Sequence, residues 1–187
     1  MLMMKGVTLH STLQFNKEIL GEEAVNGLIA KLDEESRNVL SHTILDTSWY
    51  PLDSLINFTE LVFNTILGKN ENALKKGSKL IVEKQVTGIY KTLLSVGSTE
   101  FIVKRINSIN ERYYQGVEVI TEYLEANKLK VTYKGFEKKH RLQEIITMAW
   151  WEVVFENLDA KNTTSEITTS LAEDKGYFDF IVTWEKK

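Results

Sequence analysis

The spacing of hydrophobic residues changes at Gly116, and this change constrains the fold more than any other feature of the sequence. Before Gly116, apolar residues recur every three or four positions, as they do on one face of a helix. After it, apolar and polar residues alternate over residues 117–123 and 129–133, which flank the turn-like segment EANK. This alternation is typical of a β-hairpin. The sequence therefore predicts a helical N-terminal half followed by β-structure.

The segment GYFDFIVTWEKK, residues 176–187, is a second strand signal. Phe178, Phe180, Val182 and Trp184 fall on one side of a two-residue alternation. We expect this segment to form the second strand of a hairpin over residues 162–184, with Phe180 and Trp184 mostly buried. Between the two hairpins, residues 139–158 have helical spacing. The order predicts an α+β fold, with hairpin, helix and hairpin building one antiparallel sheet packed on helices by its aromatic face.

The helix predicted over residues 139–158 is unusual because it carries two apolar stripes, separated by a thin polar seam at residues 143, 147, 152 and 156. Trp150 lies on one stripe, and Trp151 lies on the other with Met148 and Phe155. Successive helical residues point about 100° apart, so the two tryptophans cannot share one partner surface. We expect one to pack on the sheet, and the other to face the helical half, a pocket or a second subunit. A homodimer is the favoured outcome, and a filled pocket is the alternative.

The helical half shows its own start and stop signals. Pro51 suits the first turn of a helix that ends at Gly68. A long helix is predicted over residues 73–94, and another after Gly97, with Ser98 or Thr99 as its N-cap. The chain contains no Gly/Ser-rich linker and no internal repeat, so we expect residues 1–187 to form a single domain.

The composition excludes several classes of function. Cysteine is absent, which removes disulfides and thiolate metal sites and fits a cytoplasmic protein. The net charge of −3 gives no field that would attract nucleic acid, and no apolar run approaches the roughly 20 residues of a membrane span. We also find no signal peptide at the start. We therefore expect a cytoplasmic protein without nucleic-acid binding or membrane insertion.

No pattern of catalytic residues is present. The three histidines, His10, His42 and His140, lack the i, i+3 or i, i+4 spacing of metal ligands and are expected to lie on the surface or in caps. Nucleophile elbows and phosphate-binding loops are also missing. The basic segment KGFEKKHR, residues 134–141, is interpreted as a solvated turn, with anion binding at the following helix start as the alternative. We expect no enzyme, no catalytic residue and no bound metal.

Aromatic residues are the remaining signal. Several lie on helices that could enclose one pocket for an apolar ligand with a polar group. At helical spacing such residues are also ordinary core residues. The candidate ligand-binding residues are Tyr90, Phe101, Tyr113, Tyr114, Trp150, Trp151 and Phe155.

Four segments carry a resemblance to known proteins: MKGVTLHSTLQF from Met4, SWYP from Ser48, TGIYKTLLSVGSTEFIVKRINSINERYYQG over residues 87–116, and the closing FIVTW. Over nearly its full length the chain resembles a bacterial family that is numerous in myxobacteria. That family is similar to the 4-vinyl reductase domain and to the haem–nitric oxide/oxygen binding domain, which share a fold with vesicle-tethering TRAPP subunits. The resemblance implies a helical half and an antiparallel sheet that enclose a cavity.

The chain departs from these relatives where they bind cofactors. Many 4-vinyl reductase domains carry zinc-binding cysteines in the last hairpin, where this chain has Ser170 and Phe178. Haem-binding relatives need an axial histidine on the helix before the first hairpin, and a Tyr-x-Ser-x-Arg motif for the propionates. Here the corresponding segments are INSINERYYQG and TYKGFEKKH. We therefore expect no cofactor, neither zinc nor haem, with Tyr113 or Tyr114 as the axial ligand if haem does bind.

Three functions remain. The leading hypothesis is a non-enzymatic sensory or regulatory module that binds a small, largely apolar molecule in an internal pocket and acts on an unknown signalling partner. The second is a protein-interaction or homodimerisation module with a packed interior and no ligand. The third is a haem-based gas sensor.

Overall fold

A helical half comes first in the computed structural model, which describes residues 1–88, 91 and 97–187. Its described helices are α1 (Gly6–Leu20), α2 (Glu22–Ile29), α3 (Glu34–Ser41), α4 (Leu52–Thr65), α5 (Glu71–Thr87) and α6 (Thr99–Tyr113). The predicted N-cap of α6 is confirmed, because the Ser98 side chain accepts a hydrogen bond from the Phe101 N–H. Asn70 caps α5 in the same way. The predicted continuation of α5 to residue 94 lies, apart from residues 88 and 91, outside the described residues.

The second half forms the predicted sheet. Its elements are β4 (Glu118–Glu125), β5 (Lys128–Lys134), α7 (Leu142–Glu156), β6 (Ala160–Thr169) and β7 (Tyr177–Lys186), with short 3-10 turns at Lys138–His140 and Leu171–Glu173. The strand order is β4-β5-β7-β6, and all neighbours are antiparallel. This confirms the predicted α+β fold with two hairpins in one sheet.

The aromatic face of β7 is part of the core. Phe178, Phe180 and Val182 are fully buried, and Trp184 is 3% exposed. The register places Val131 of β5 opposite Phe180, and Tyr133 opposite Phe178. The predicted burial of the terminal strand is therefore confirmed.

A second, smaller sheet was not predicted. It consists of β1 (Met3–Lys5), β2 (Trp49–Pro51) and β3 (Tyr114–Gln115) in the order β2-β1-β3. Pro51 closes β2 and directly precedes α4, so it lies one residue before the first helical turn to which the sequence assigned it. This small sheet ties the start of the chain to the end of α6.

The two tryptophans of α7 face different surfaces, as predicted. Trp151 is fully buried on the sheet, where its indole N–H donates a hydrogen bond to the Tyr133 hydroxyl over 3.0 Å. Phe155 is fully buried too, and its ring centroid lies 5.0 Å from that of Trp184. The stripe with Trp151 is therefore covered by the chain's own sheet and is not available to a second subunit. Homodimerisation stays a prediction without support from this stripe.

Most of the polar seam of α7 is also buried, because Gln143, Thr147 and Glu152 are each less than 8% exposed.

Of the described helices, none is long and apolar enough to cross a membrane.

Candidate functional site

A pocket of ≈ 210 Å³, called the cavity below, lies between the helical half and the sheet. Its wall comes from α1, α4, α5, α6 and α7, and from β5. The cavity is partly open to solvent, because Ile19 and Ile66 of its wall are 64% and 48% exposed. Most of the wall is apolar, including Phe15, Phe58, Ile106, Ile109, Phe136 and Ile146.

Helix α5 shows how the sequence leaves this space open. Leu74, Gly77, Ser78, Ile81 and Gln85 follow helical spacing and all line the cavity. Gly77 has no side chain and Ser78 has a short one, so the middle of this face withdraws from the opposite wall. A Cβ placed on Gly77 would meet no atom within 4 Å.

The described lining contains no charged side chain. Its polar groups come from threonine, serine, asparagine, glutamine and tyrosine, and several are already paired. The Gln85 amide donates to the Ser11 hydroxyl over 2.8 Å, and the Asn110 amide donates to the Val117 carbonyl over 3.0 Å. Among the described lining residues, two fully buried side-chain atoms lack a hydrogen-bond partner: the carbonyl oxygen of Gln143 and the hydroxyl of Thr8.

Three tyrosines line the cavity: Tyr113, Tyr114 and Tyr133. Burial raises the pKa of Tyr114 to about 12. Burial also raises the pKa of Tyr113, against a smaller opposing effect of Arg112, and raises that of Tyr133. All three phenols are therefore neutral at physiological pH.

The structure separates the predicted ligand-binding residues into two groups. Tyr113, Tyr114 and Trp150 line the cavity together, whereas Phe101, Trp151 and Phe155 do not. Trp151 and Phe155 pack on the sheet, and Phe101 is half-buried beneath the Arg105 guanidinium, 4.7 Å from the ring centroid. Tyr90 lies outside the described residues.

Sequence analysis missed the polar lining. Gln143 and Thr147 belong to the polar seam of α7, which the sequence analysis did not assign to the wall of a pocket. The available signal was their i, i+4 spacing on a helix that is apolar nearly all round, since such a helix is enclosed and its polar residues are enclosed with it.

None of the three histidines lines the cavity. His10 and His42 are exposed, as predicted. His140 is buried, and of the two predicted alternatives, surface or cap, it takes the second, because it forms a cap. Its Nδ1 accepts the Glu137 backbone N–H over 3.0 Å, and its Nε2 lies 2.6 Å from an oxygen of Asp53.

Two cations of the basic segment at residues 134–141 pair with carboxylates of other elements. The Lys139 ammonium lies 2.6 Å from Asp53, and the Arg141 guanidinium lies 2.7 Å from Glu71. These pairs compensate two of the positive charges at the start of α7. Because Arg141 is paired with Glu71, it is not free to bind an anion at the start of α7.

Outside the cavity, a buried carboxylate joins two of its walls, α5 and α7. Glu152 of α7 accepts hydrogen bonds from Lys75 over 2.7 Å and from Lys79 over 2.6 Å, and also from Ser165 of β6. Burial acts to raise the pKa of Glu152, but these hydrogen bonds outweigh it and hold that pKa below its ordinary value. The carboxylate is therefore charged and fixes α5 against α7.

Comparison with known proteins identifies the fold. No protein-family model and no curated protein matches the chain. Among solved structures, an Fe(II) unliganded H-NOX protein from K. algicida is 18% identical, with 98% of each chain covered and a TM-score of 0.71. An H-NOX protein from S. oneidensis in the Fe(II)NO ligation state is 12% identical, with 98% of this chain and 100% of that chain covered and a TM-score of 0.75. The chain has the H-NOX fold.

A third H-NOX structure is an oxygen-binding domain related to soluble guanylate cyclases, in its oxygen complex. It is 10% identical, with a TM-score of 0.70 over 98% of this chain and 96% of that one. Identities this low establish the H-NOX fold alone, because a fold persists while the residues of its site change. The resemblances to the myxobacterial family, to 4-vinyl reductase domains and to TRAPP subunits stay predictions.

Proposed function

We propose that this protein is a non-enzymatic sensory or regulatory module that binds a small, largely apolar molecule in the cavity. The observation that carries the proposal is an apolar space of ≈ 210 Å³ with no charged side chain in its described lining, inside the H-NOX fold. Apolar pockets with a few placed polar groups are the usual form of small-molecule sites. The cavity offers no carboxylate, histidine or cysteine for catalysis, which supports a binding role over an enzymatic one.

The lining does not fit haem, the group that the Fe(II) and Fe(II)NO states of the solved H-NOX proteins imply. Iron would require an axial ligand, and no histidine lines the cavity. Tyr113 and Tyr114 are the available alternatives, but burial raises the pKa of both phenols and so opposes the phenolate that binds iron. Haem also carries two propionates, and a carboxylate buried without a cation loses its hydration uncompensated. A ligand other than haem suits this lining better.

A homodimerisation module is the second candidate. Strand β4 lies at an edge of the four-stranded sheet and exposes Ile120 (41%), Tyr123 (45%) and Leu124 (43%). Exposed edge strands with apolar residues can pair with another chain. A cytoplasmic location and a signalling partner are further parts of the proposal.

Native mass spectrometry of protein purified from cells tests the two candidates. We expect a mass excess that matches one retained small molecule and disappears on denaturation. A ligand-free dimer would instead support homodimerisation, and a ligand-free monomer that also fails to bind added apolar compounds would contradict both.

Reconstitution with haem tests the argument that the lining does not fit haem. We expect no stoichiometric Soret band, because the described lining contains no histidine and no cation, and its tyrosines are neutral. Should a band form, Tyr113→Phe and Tyr114→Phe would identify the ligand, and the proposal of a non-haem ligand would be wrong.

A further inference from the structure

The cavity opens to solvent at the C-terminal ends of α1 and α4. Among the lining residues that the structure describes, Ile19 and Ile66 are the exposed ones. Ile19 lies in the last turn of α1, and Ile66 is the C-cap of α4. Both side chains are apolar, and no charged side chain accompanies them in the described lining. We call this opening the mouth of the cavity.

Helix α5 completes the mouth with the edge that carries Gly77. About two helical turns further along that edge, Lys84 forms an ion pair with Glu18 of α1 and lies over the Phe15 ring, 5.3 Å from its centroid. The Gly77 edge of α5 therefore faces the C-terminal part of α1, where Ile19 lies. Gly77 itself lines the cavity and is half-buried.

Neither the backbone nor the packing requires glycine at this position. Gly77 lies inside α5 in helical conformation, and a Cβ there would meet no atom within 4 Å. Glycine also destabilises a helix interior relative to every other residue except proline. A side chain would therefore fit and would stabilise α5, and what glycine provides instead is open space at the mouth.

We infer that the mouth is the route by which the ligand enters and leaves the cavity, and that Gly77 determines how wide a molecule can pass. This inference rests on the proposed function and deepens it. An apolar molecule loses contact with water favourably as it passes Ile19 and Ile66. A charged molecule would lose hydration there without a compensating group of the described lining. Residue 77 thus controls access, whereas the apolar wall further inside holds the ligand.

The test is stopped-flow binding of N-phenyl-1-naphthylamine, an uncharged three-ring compound that fluoresces more strongly in apolar surroundings. For Gly77→Leu we expect the association and dissociation rate constants to fall together by at least about tenfold, because the compound must push the leucine side chain aside to pass. The dissociation constant should change by less than about threefold, since the wall further inside is unaltered. The rate constants of Gly77→Ala should lie between those of the wild type and Gly77→Leu.

Gly27→Leu is the matched control. Gly27 lies inside α2, where a Cβ would also meet no atom within 4 Å, and it does not line the cavity. Both leucine variants should melt at the temperature of the wild type or above it, because each replaces a helical glycine. Gly77→Leu should bind the compound more slowly, and Gly27→Leu should bind it at the rate of the wild type.

Ile66→Ala is the variant of opposite sign. It removes an exposed side chain from the mouth and should speed both association and dissociation, and it provides the test if Gly77→Leu fails to fold. Rate constants that stay unchanged in Gly77→Leu and in Ile66→Ala would overturn the inference and leave the proposed function standing.

A weaker affinity of Gly77→Leu with unchanged or faster dissociation would also overturn the inference alone, because this result would place residue 77 beside the bound molecule and not at the mouth. A wild type that does not bind the compound would overturn the proposed function together with the inference.

Discussion

Replacing Tyr133 by phenylalanine would remove one oxygen atom from the interior. The resulting loss in the free energy of unfolding would measure the hydrogen bond between the sheet and α7. The Tyr133 hydroxyl accepts the Trp151 indole N–H over 3.0 Å, and Trp151 is fully buried. The Tyr133 ring stacks on Phe178, with centroids 5.3 Å apart and planes 7° from parallel. Phenylalanine keeps this stack, so the substitution isolates the hydrogen bond.

The expected cost follows from the group that remains. In Tyr133→Phe the indole N–H of Trp151 stays buried without its acceptor. An unpaired buried donor costs about 1–3 kcal/mol. For a chain of this size, each kcal/mol lowers the melting temperature by about 2–4 °C.

Urea denaturation followed by circular dichroism provides the free energies of unfolding. The control is Tyr123→Phe, because Tyr123 is 45% exposed and its hydroxyl is accessible to water, so that variant should cost less than about 0.5 kcal/mol. Trp151→Phe and the double variant complete a mutant cycle. Each single variant leaves one polar group unpaired and the double variant leaves neither, so the double variant should cost less than the sum. Strict additivity, or a Tyr133→Phe cost no larger than that of the control, would refute the reasoning.

Three further predictions concern stability and assembly. Glu152→Gln should cost about 1–3 kcal/mol at pH 7, because it removes a buried carboxylate paired with two partly exposed lysines. The pKa of Glu152 in the folded protein is lowered from 4.5, so its stabilisation is complete above pH 4.5 and is lost as the pH falls through the lower folded pKa. The difference in free energy of unfolding between wild type and Glu152→Gln should therefore shrink below about pH 4.5. A difference that stays constant in an acid denaturation series would contradict this. Gly135→Ala should destabilise by about 1–3 kcal/mol, because Gly135 has φ +97° and a Cβ would overlap a backbone carbonyl, whereas Gly27→Ala on exposed α2 should stabilise by about 0.5–1 kcal/mol; thermal melts that rank the two the other way would show the backbone argument to be wrong. Light scattering should detect a dimer that Ile120→Lys on β4 dissociates, and a monomeric wild type would remove the homodimer from consideration.

The fold was largely predictable because its main signals are local. The alternation of Phe178, Phe180, Val182 and Trp184 identifies a half-buried strand without any knowledge of its neighbours. The two stripes of α7 likewise predict two partner surfaces. The small sheet was not predictable, because residues 3–5 are too few to show a period, and they pair with residues 49–51 and 114–115 far along the chain.

The candidate site was predictable only in part, because a local sequence pattern does not identify the tertiary partners of a residue. Periodicity shows that a residue is buried but not what covers it, so Trp150 and Trp151 had equal standing until the structure placed one at the cavity and the other on the sheet. The partners of His140 and Glu152 could not be predicted, because Asp53 and Lys75 are 87 and 77 positions away in sequence. Ion pairs between residues far apart in sequence produce no local sequence pattern.

The position of β7 in the sheet has a consequence for how the chain folds. β7 is the last strand in chain order, yet it lies between β5 and β6, and its contacts with β5 join residues such as Lys128 and Thr183. The sheet cannot grow by adding strands in the order of synthesis, because the first hairpin must wait for the second to dock beside it. Closing so long a loop slows folding, since chain entropy is lost before the contacts form. Until β7 arrives, the backbone N–H and C=O groups along one edge of β5 have no strand partner, and the chain is most exposed to aggregation just before β7 is made.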